Sequence, residues 1–190
     1  MTGPDQPAVV VVRRAGPADA ENPLAWRREP SAARFQPLLD RSLDDLRREL
    51  VADARGDLDG AFAGTARFVV VAGVEDAGWL NLRRIDRDDQ TASVGYTIAE
   101  RFRGRGIATA AVGLVIALAF GPLGLGRLEA VAAVENVASR RVLERNGFRF
   151  EGIARGYLII AGQRVDHARY GLLATDDRIE LVAIATQEGS

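Results

Sequence analysis

A chain of 190 residues with 47% hydrophobic and 27% charged residues is sized and balanced for one domain with a substantial core. A net charge of −1 argues against a general nucleic-acid binder, the lack of cysteine excludes disulfides, thiolate zinc sites and a cysteine nucleophile, and a single histidine cannot build a histidine metal cluster. The first residues lack the basic end and apolar core of an export signal, so the chain is expected to be cytoplasmic.

Residues 1–8 read as a loose arm, and the β-branched run Ala8–Arg14 predicts a first strand. Gly16-Pro17 marks a turn, with Asp19 at a helix start. The segment Asn22–Arg34 carries Pro23, Pro30 and mixed charge around Trp26, and stays open between a short helix and a substrate-side loop. Leu39, Leu43, Leu46 and Leu50 recur at helical spacing and predict an amphipathic helix over Leu38–Leu50. Phe68–Ala72 and Gly78–Ile85 predict antiparallel strands joined by a turn at Glu75–Gly78. Asp86–Gln90 is a polar turn, and Thr91–Ile98 returns as a strand.

That strand runs into ERFRGRGIAT, Glu100–Thr109, which opens a helix predicted over Arg105–Phe120 and stopped by Gly121-Pro122. A strand that breaks into an Arg- and Gly-rich turn and then a helix presents unpaired backbone N–H groups where the helix dipole favours negative charge. Gly104 and Gly106 let a bulky anion approach the main chain, and Arg101, Arg103 and Arg105 add charge. The uncharged stretch Gly106–Gly126 is broken by glycines and Pro122, which argues against a membrane span. Beyond it, Arg127–Val134 predicts a strand, and Asn136–Asn146 a helix with Asn136 as N-cap and Asn146-Gly147 as stop. Phe148–Ile160 and Arg164–Leu173 form a hairpin through residues 161–163. Residues 1–175 make one domain, and 176–190 a tail in which Ile179–Ala185 is a candidate edge strand.

The spacing of Arg101, Gly104, Gly106 and Ile107-Ala108 resembles motif A of the GNAT superfamily of acetyl-CoA-dependent N-acyltransferases. A second signature of that family is matched by Asn136, Ser139, Gly147 and Phe148, and the hairpin with Asp166-His167 and Tyr170 resembles that of its Rim-type branch, which acetylates ribosomal-protein N-termini. The resemblance covers Phe68–Leu173. It implies an α/β fold with a mixed, mostly antiparallel sheet, a central splayed parallel pair and helices on both faces.

For the site, the resemblance implies that backbone around Tyr96, Thr97 and Ile98 meets the pantetheine arm, with the N–H near Ile98 polarising the thioester carbonyl. The amides and side chains of Arg101, Phe102, Arg103, Gly104, Arg105, Gly106, Ile107, Ala108 and Thr109 hold the pyrophosphate, and Asn136, Ser139, Arg140 and Leu143 border the arm. Ser139 is the candidate proton donor to the thiolate or an orienting group beside it. Some Rim-type enzymes carry a carboxylate before the aromatic of the penultimate strand, where this chain has Gly156 before Tyr157, so proton removal falls to Glu100, water or a carboxylate before Phe68. His167 reads as a structural residue of the hairpin. The implied reaction moves the acetyl group from acetyl-CoA to a primary amine, a peptide N-terminus or a small molecule, by direct transfer in a ternary complex and without a metal. An N-terminal amine, with a pKa near 8, suits a site without a strong base better than lysine, near 10.4. The alternatives are a non-catalytic acyl-CoA sensor and a nucleic-acid module using RFRGRG. No nucleic-acid or membrane partner is expected, and the family leaves a homodimer open.

Overall fold

The structure is a computed structural model describing residues 9–37, 42–53 and 64–176. One sheet contains β1 (Val10–Arg14), β2 (Gly64–Ala72), β3 (Glu75–Asp86), β4 (Thr91–Ile98), β5 (Arg127–Ala133), β6 (Arg149–Ile160) and β7 (Gln163–Leu173). Their order is β1-β2-β3-β4-β5-β7-β6, with all neighbours antiparallel except the central β4 and β5. A parallel pair needs a crossover, and α4 (Ile107–Phe120) supplies it.

Pairing between β4 and β5 stops at Val94 and Ala130. Past that point β4 stays with β3 as far as Ile98, and β5 stays with β7 as far as Ala133. Each strand is committed to its outer neighbour, so the sheet opens at its centre, and the expected mixed sheet with a splayed parallel pair is what is found. Tyr96 and Thr97, consecutive on β4, point to opposite faces. One bonds Ser139 on α5 (Val137–Arg145), the other bonds Gln36, just after α2 (Pro30–Ala33). Helical segments therefore cover both faces.

The core is continuous through the sheet: Leu80, Leu82, Val112, Val115, Leu128 and Leu172 are fully buried. On α4, Ile107, Ala111, Val115 and Ala119 fall on one buried stripe. No helix among the described residues is long and apolar enough to cross a membrane.

Several expectations are corrected. The turn between β2 and β3 is Gly73-Val74, and Glu75–Ala77 belong to β3; Gly73 supplies the positive φ of 65° that the tight turn requires. The central helix starts at Ile107 because Gly106, at φ 77°, is its N-cap. Asn22–Arg34 resolves into α1 (Glu21–Arg28) and α2, with Pro30 at the first position of α2, where a missing N–H costs nothing. The amphipathic helix is α3 (Leu43–Asp53), preceded by Ser42, whose Oγ accepts the Asp45 N–H at 3.1 Å while Asp45 accepts from Ser42 N–H at 3.3 Å. The hairpin turn is Ala161-Gly162, both at positive φ, and Gln163 already belongs to β7. The N-terminal arm, Ala8, residues 38–41 of the predicted helix and the C-terminal tail lie outside the described residues.

Candidate active site

The end of β4 leads into a single 3-10 turn, Glu100–Phe102, and then Gly104 and Gly106 at φ 75° and 77°. Between Gly104 and Thr109 no N–H has a backbone acceptor among the described residues; the first to be bonded is Ala110, to Gly106 O at 3.1 Å. A Cβ built on Gly104 or Gly106 would meet nothing within 4 Å. The space beside these two glycines is open. The amides of Phe102 and Arg103, expected in the same set, are a correction: the 3-10 turn closes them onto Ala99 O at 2.9 Å and Glu100 O at 3.2 Å.

The three arginines of the turn separate in space. Arg103 donates from Nε to Ile98 O at 2.7 Å, bonds Ser31 Oγ and faces Glu29 at 3.7 Å, so it is a strut. Arg101 lies 4.5 Å from the Phe102 ring centre with Glu75 at 3.4 Å. Arg105 is exposed and has no partner among the described residues, which leaves it available to an anion.

Glu100 and the α1–α2 junction clasp each other. Glu29 Oε2 accepts the Glu100 N–H at 2.8 Å, and Glu100 Oε1 accepts the Ser31 N–H at 3.0 Å and its hydroxyl. The Ser31 bonds hold the Glu100 carboxyl below the usual carboxylate range. Glu100 is also absent from the cavity wall described next, which speaks against Glu100 among the three expected routes for proton removal. Proximity in sequence to the anion turn did not carry its side chain to the strand gap.

Where β4 and β5 part, a cavity of about 810 Å³ opens. It brings together Tyr96, Thr97, Asn136, Ser139 and Leu143, which the sequence had already grouped. The Tyr96 hydroxyl donates to Ser139 O at 3.1 Å and lies 2.9 Å from Ser139 Oγ. Burial pushes the Tyr96 pKa up to about 12, against the smaller opposing influence of the Ser139 hydrogen bond. Asn136 Oδ1 accepts the Ser139 N–H at 3.1 Å, capping α5 and fixing Ser139 in its first turn. Gln36 spans the parted end of β4, donating to Tyr96 O at 3.3 Å and accepting from Thr97 Oγ1 at 3.1 Å.

Arg140 is engaged by Tyr170 Oη at 3.0 Å and Val134 O at 3.3 Å, so its guanidinium holds the hairpin to the α5 entry. His167 is 2% exposed, with Nδ1 3.0 Å from Val165 O and its ring stacked obliquely on Tyr157 at 5.5 Å. It lines the cavity as a wall. Gln36, Asn81 and Arg83 also line it and went unnoticed in the sequence. Gln36 follows a segment with no periodicity, and the other two sit in an ordinary strand alternation.

Residues 10–149 match the acetyltransferase (GNAT) domain. The chain is a GNAT acetyltransferase. Among curated relatives, the Bacillus subtilis protein provisionally named ribosomal N-acetyltransferase YdaF is 38% identical over 135 residues, 70% of this chain and 71% of its own length. Among solved structures, Mycobacterium smegmatis RimJ in complex with CoA-disulfide is 28% identical, with a TM-score of 0.73 over 88% of this chain and 83% of that one. The ribosomal-protein-S5-alanine acetyltransferase of Vibrio fischeri is 26% identical, with a TM-score of 0.76 over 88% and 94% of the two chains. Acetyl-CoA is the cosubstrate of this acetyltransferase, and it resembles the Rim-type enzymes in sequence and fold. The open glycine turn with unpaired amides and the gap at Val94 and Ala130 fit a diphosphate and an extended arm.

Proposed function

We propose that this acetyltransferase moves the acetyl group directly to the neutral amine of an N-terminus or a small molecule, inside the β4–β5 gap. The observation that carries this reading is the continuity of the open amide turn at Gly104–Thr109 with a strand end whose partner has swung away. The coenzyme supplies an activated thioester; the protein's residues place and polarise it.

The amides from Gly104 to Thr109, with Arg105, hold the diphosphate. Alternate carbonyls of the parted strand, Tyr96 O and Ile98 O, are taken up by Gln36 and Arg103. In a strand the N–H of each residue shares the edge of its carbonyl, so the Tyr96 and Ile98 N–H groups face the gap and can pair with the arm or with the thioester oxygen. As the amine nitrogen bonds the carbonyl carbon, negative charge grows on that oxygen and the carbon–sulfur bond breaks. Tyr96, protonated at any physiological pH, and Ser139 beside it form the proton source for the departing thiolate. The ammonium proton leaves to water, since no carboxylate is among the described residues lining the cavity. Glu100 acts as a positioning residue through Ser31 and Arg103.

The test is an acceptor screen with acetyl-CoA, read by thiol release and product mass. Acetyl transfer to one or more amines is expected, with the acetyl group on nitrogen. Coenzyme binding by calorimetry with no transfer to any amine in a broad panel would overturn the catalytic reading.

A further inference from the structure

The cavity wall on the α1 side is cationic. Arg27 and Arg28 from α1, Arg67 from β2, and Arg83 and Arg84 from β3 all line it, and its described lining residues include no Asp or Glu. Arg67 is held by Glu49 and Asp53, and Arg84 donates to Ser93 Oγ at 2.8 Å. Arg83 has neither a hydrogen-bond nor an ion-pair partner among the described residues. Arg83 is exposed, and part of its surface lines the cavity. Desolvation lowers its pKa, the neighbouring Arg84 and Arg67 lower it further, and Tyr157 opposes them. A guanidinium stays protonated all the same, so the charge is retained at a cost that an incoming anion relieves.

Beside it lies an unused acceptor. Asn81 Oδ1 is buried with no hydrogen-bond partner. Both groups sit over Gly95: a Cβ there would stand 3.0 Å from Asn81 Oδ1 and 3.2 Å from Arg83 Nη2. Gly95 is the first β4 residue past the last pair with β5, and it precedes Tyr96. An orphan cation and an orphan acceptor thus meet at the mouth of the gap where the amine must arrive, over a residue whose lack of side chain leaves them room.

We propose, resting on the acetyl-transfer reading above, that the acceptor is a primary amine carrying a carboxylate close to its nitrogen, with the carboxylate on Arg83 and, once the Asn81 side chain turns toward the cavity, an acceptor N–H on its Oδ1. One residue of strand rise, about 3.3 Å, separates Gly95 from Tyr96. The anion is therefore confined to a free acidic amino acid or to the first residues of an acidic N-terminus. A polyamine brings only positive charge to a wall of arginines and is disfavoured by repulsion.

The experiment compares acceptors on the full-length protein at saturating acetyl-CoA. C-terminally amidated peptides differing only in Glu, Gln or Lys at the second position are set beside free glutamate and spermidine. The Glu peptide or glutamate is expected to exceed the Gln peptide in kcat/KM by about tenfold or more, with Lys and spermidine lower still. The two acidic arms tell a peptide acceptor from an amino acid. Arg83→Gln is expected to bring the acidic acceptor down to the neutral one, with CoA affinity and melting temperature held, and Arg83→Glu to shift the preference toward Lys. Calorimetry of the Glu and Lys peptides on CoA-loaded protein gives a readout that needs no turnover. Equal or tighter binding of the Lys peptide, preference for spermidine, or an acid-to-neutral ratio unchanged in Arg83→Gln overturns the inference. Tighter Glu binding without turnover supports it and counts against acetyl transfer alone.

Discussion

Replacing Gly106 by Ala isolates what the anion turn does. Gly106 has φ 77°, and an L side chain in that region costs about 1–2 kcal/mol. Stiffening the unfolded chain returns about 0.4–1 kcal/mol of this, so the net cost is about 1 kcal/mol. For a chain of this size each kcal/mol lowers the melting temperature by about 2–4 °C. No clash adds to this, because nothing lies within 4 Å of the new Cβ. The methyl instead enters the open space where the proposed diphosphate would sit, and losing one charge-assisted bond there is expected to weaken CoA about tenfold to hundredfold. Gly124→Ala is the control: its φ is 59° and its Cβ also meets nothing, but it lies past the far end of α4, about 21 Å along the helix. Thermal melts and CoA calorimetry on both variants are expected to show similar destabilisation and a CoA defect in Gly106→Ala alone. Equal CoA affinity in the two would refute the amide turn as the diphosphate site.

Tyr96→Phe and Ser139→Ala should each lower kcat about 10- to 100-fold with CoA affinity nearly unchanged, as stopped-flow thiol release and calorimetry can show. In the intact enzyme the rate with an N-terminal amine should rise with pH through the amine's pKa, near 8. It should not fall again before about pH 10, since Tyr96 keeps its proton until its pKa of about 12; an earlier alkaline limb would remove Tyr96 as donor. Glu100→Gln should lower the melting temperature but leave the shape of the pH–rate profile intact, whereas loss of its acid limb with a fall of about 100-fold or more would make Glu100 the base after all. Asp19→Asn should cost about 2 kcal/mol at neutral pH, because Asp19 accepts from Arg13 at 2.9 and 2.8 Å and from the Gly16 N–H at 2.8 Å. The Arg13 bonds depress the Asp19 pKa, so this stability is present above the unfolded value near 3.9 and is lost as pH falls through the lower folded value. Urea titrations of wild type and variant should therefore converge below about pH 4.

What could be read from the chain alone follows how local the governing physics is. Asn136 as a cap and Thr91–Ile98 as a strand are decided by a few neighbouring residues, and they are found where expected. The turn at Gly73-Val74 was misplaced because Glu75 and Asp76 look like turn residues, yet Asp76 is drawn into the sheet margin by Arg13 and Asn22. The surroundings of Glu100 escape the sequence for a similar reason: its partners, Glu29 and Ser31, lie about seventy positions away, in a segment with no periodic signal. Arg83 and Asn81 match the alternation of any half-exposed strand. Only the parting of β4 from β5 makes them the floor of a cavity.

The mutual hold between Glu29, Ser31, Glu100 and Arg103 bears on how this enzyme can be dissected. Residues 64–176 contain the glycine turn, the parted strands and the hairpin, and would look like a self-sufficient catalytic fragment to anyone trimming by signature. Cutting there removes the residues that occupy the Glu100 carboxylate and main-chain N–H, and with them Gln36 over Tyr96 O. Those polar groups would then be left to water, and the turn and the strand end would lose the contacts that brace them. The short stretch from Glu29 to Gln36 is thus a brace for the turn and strand end that follow about sixty to seventy residues later, and trimming the one alters the other.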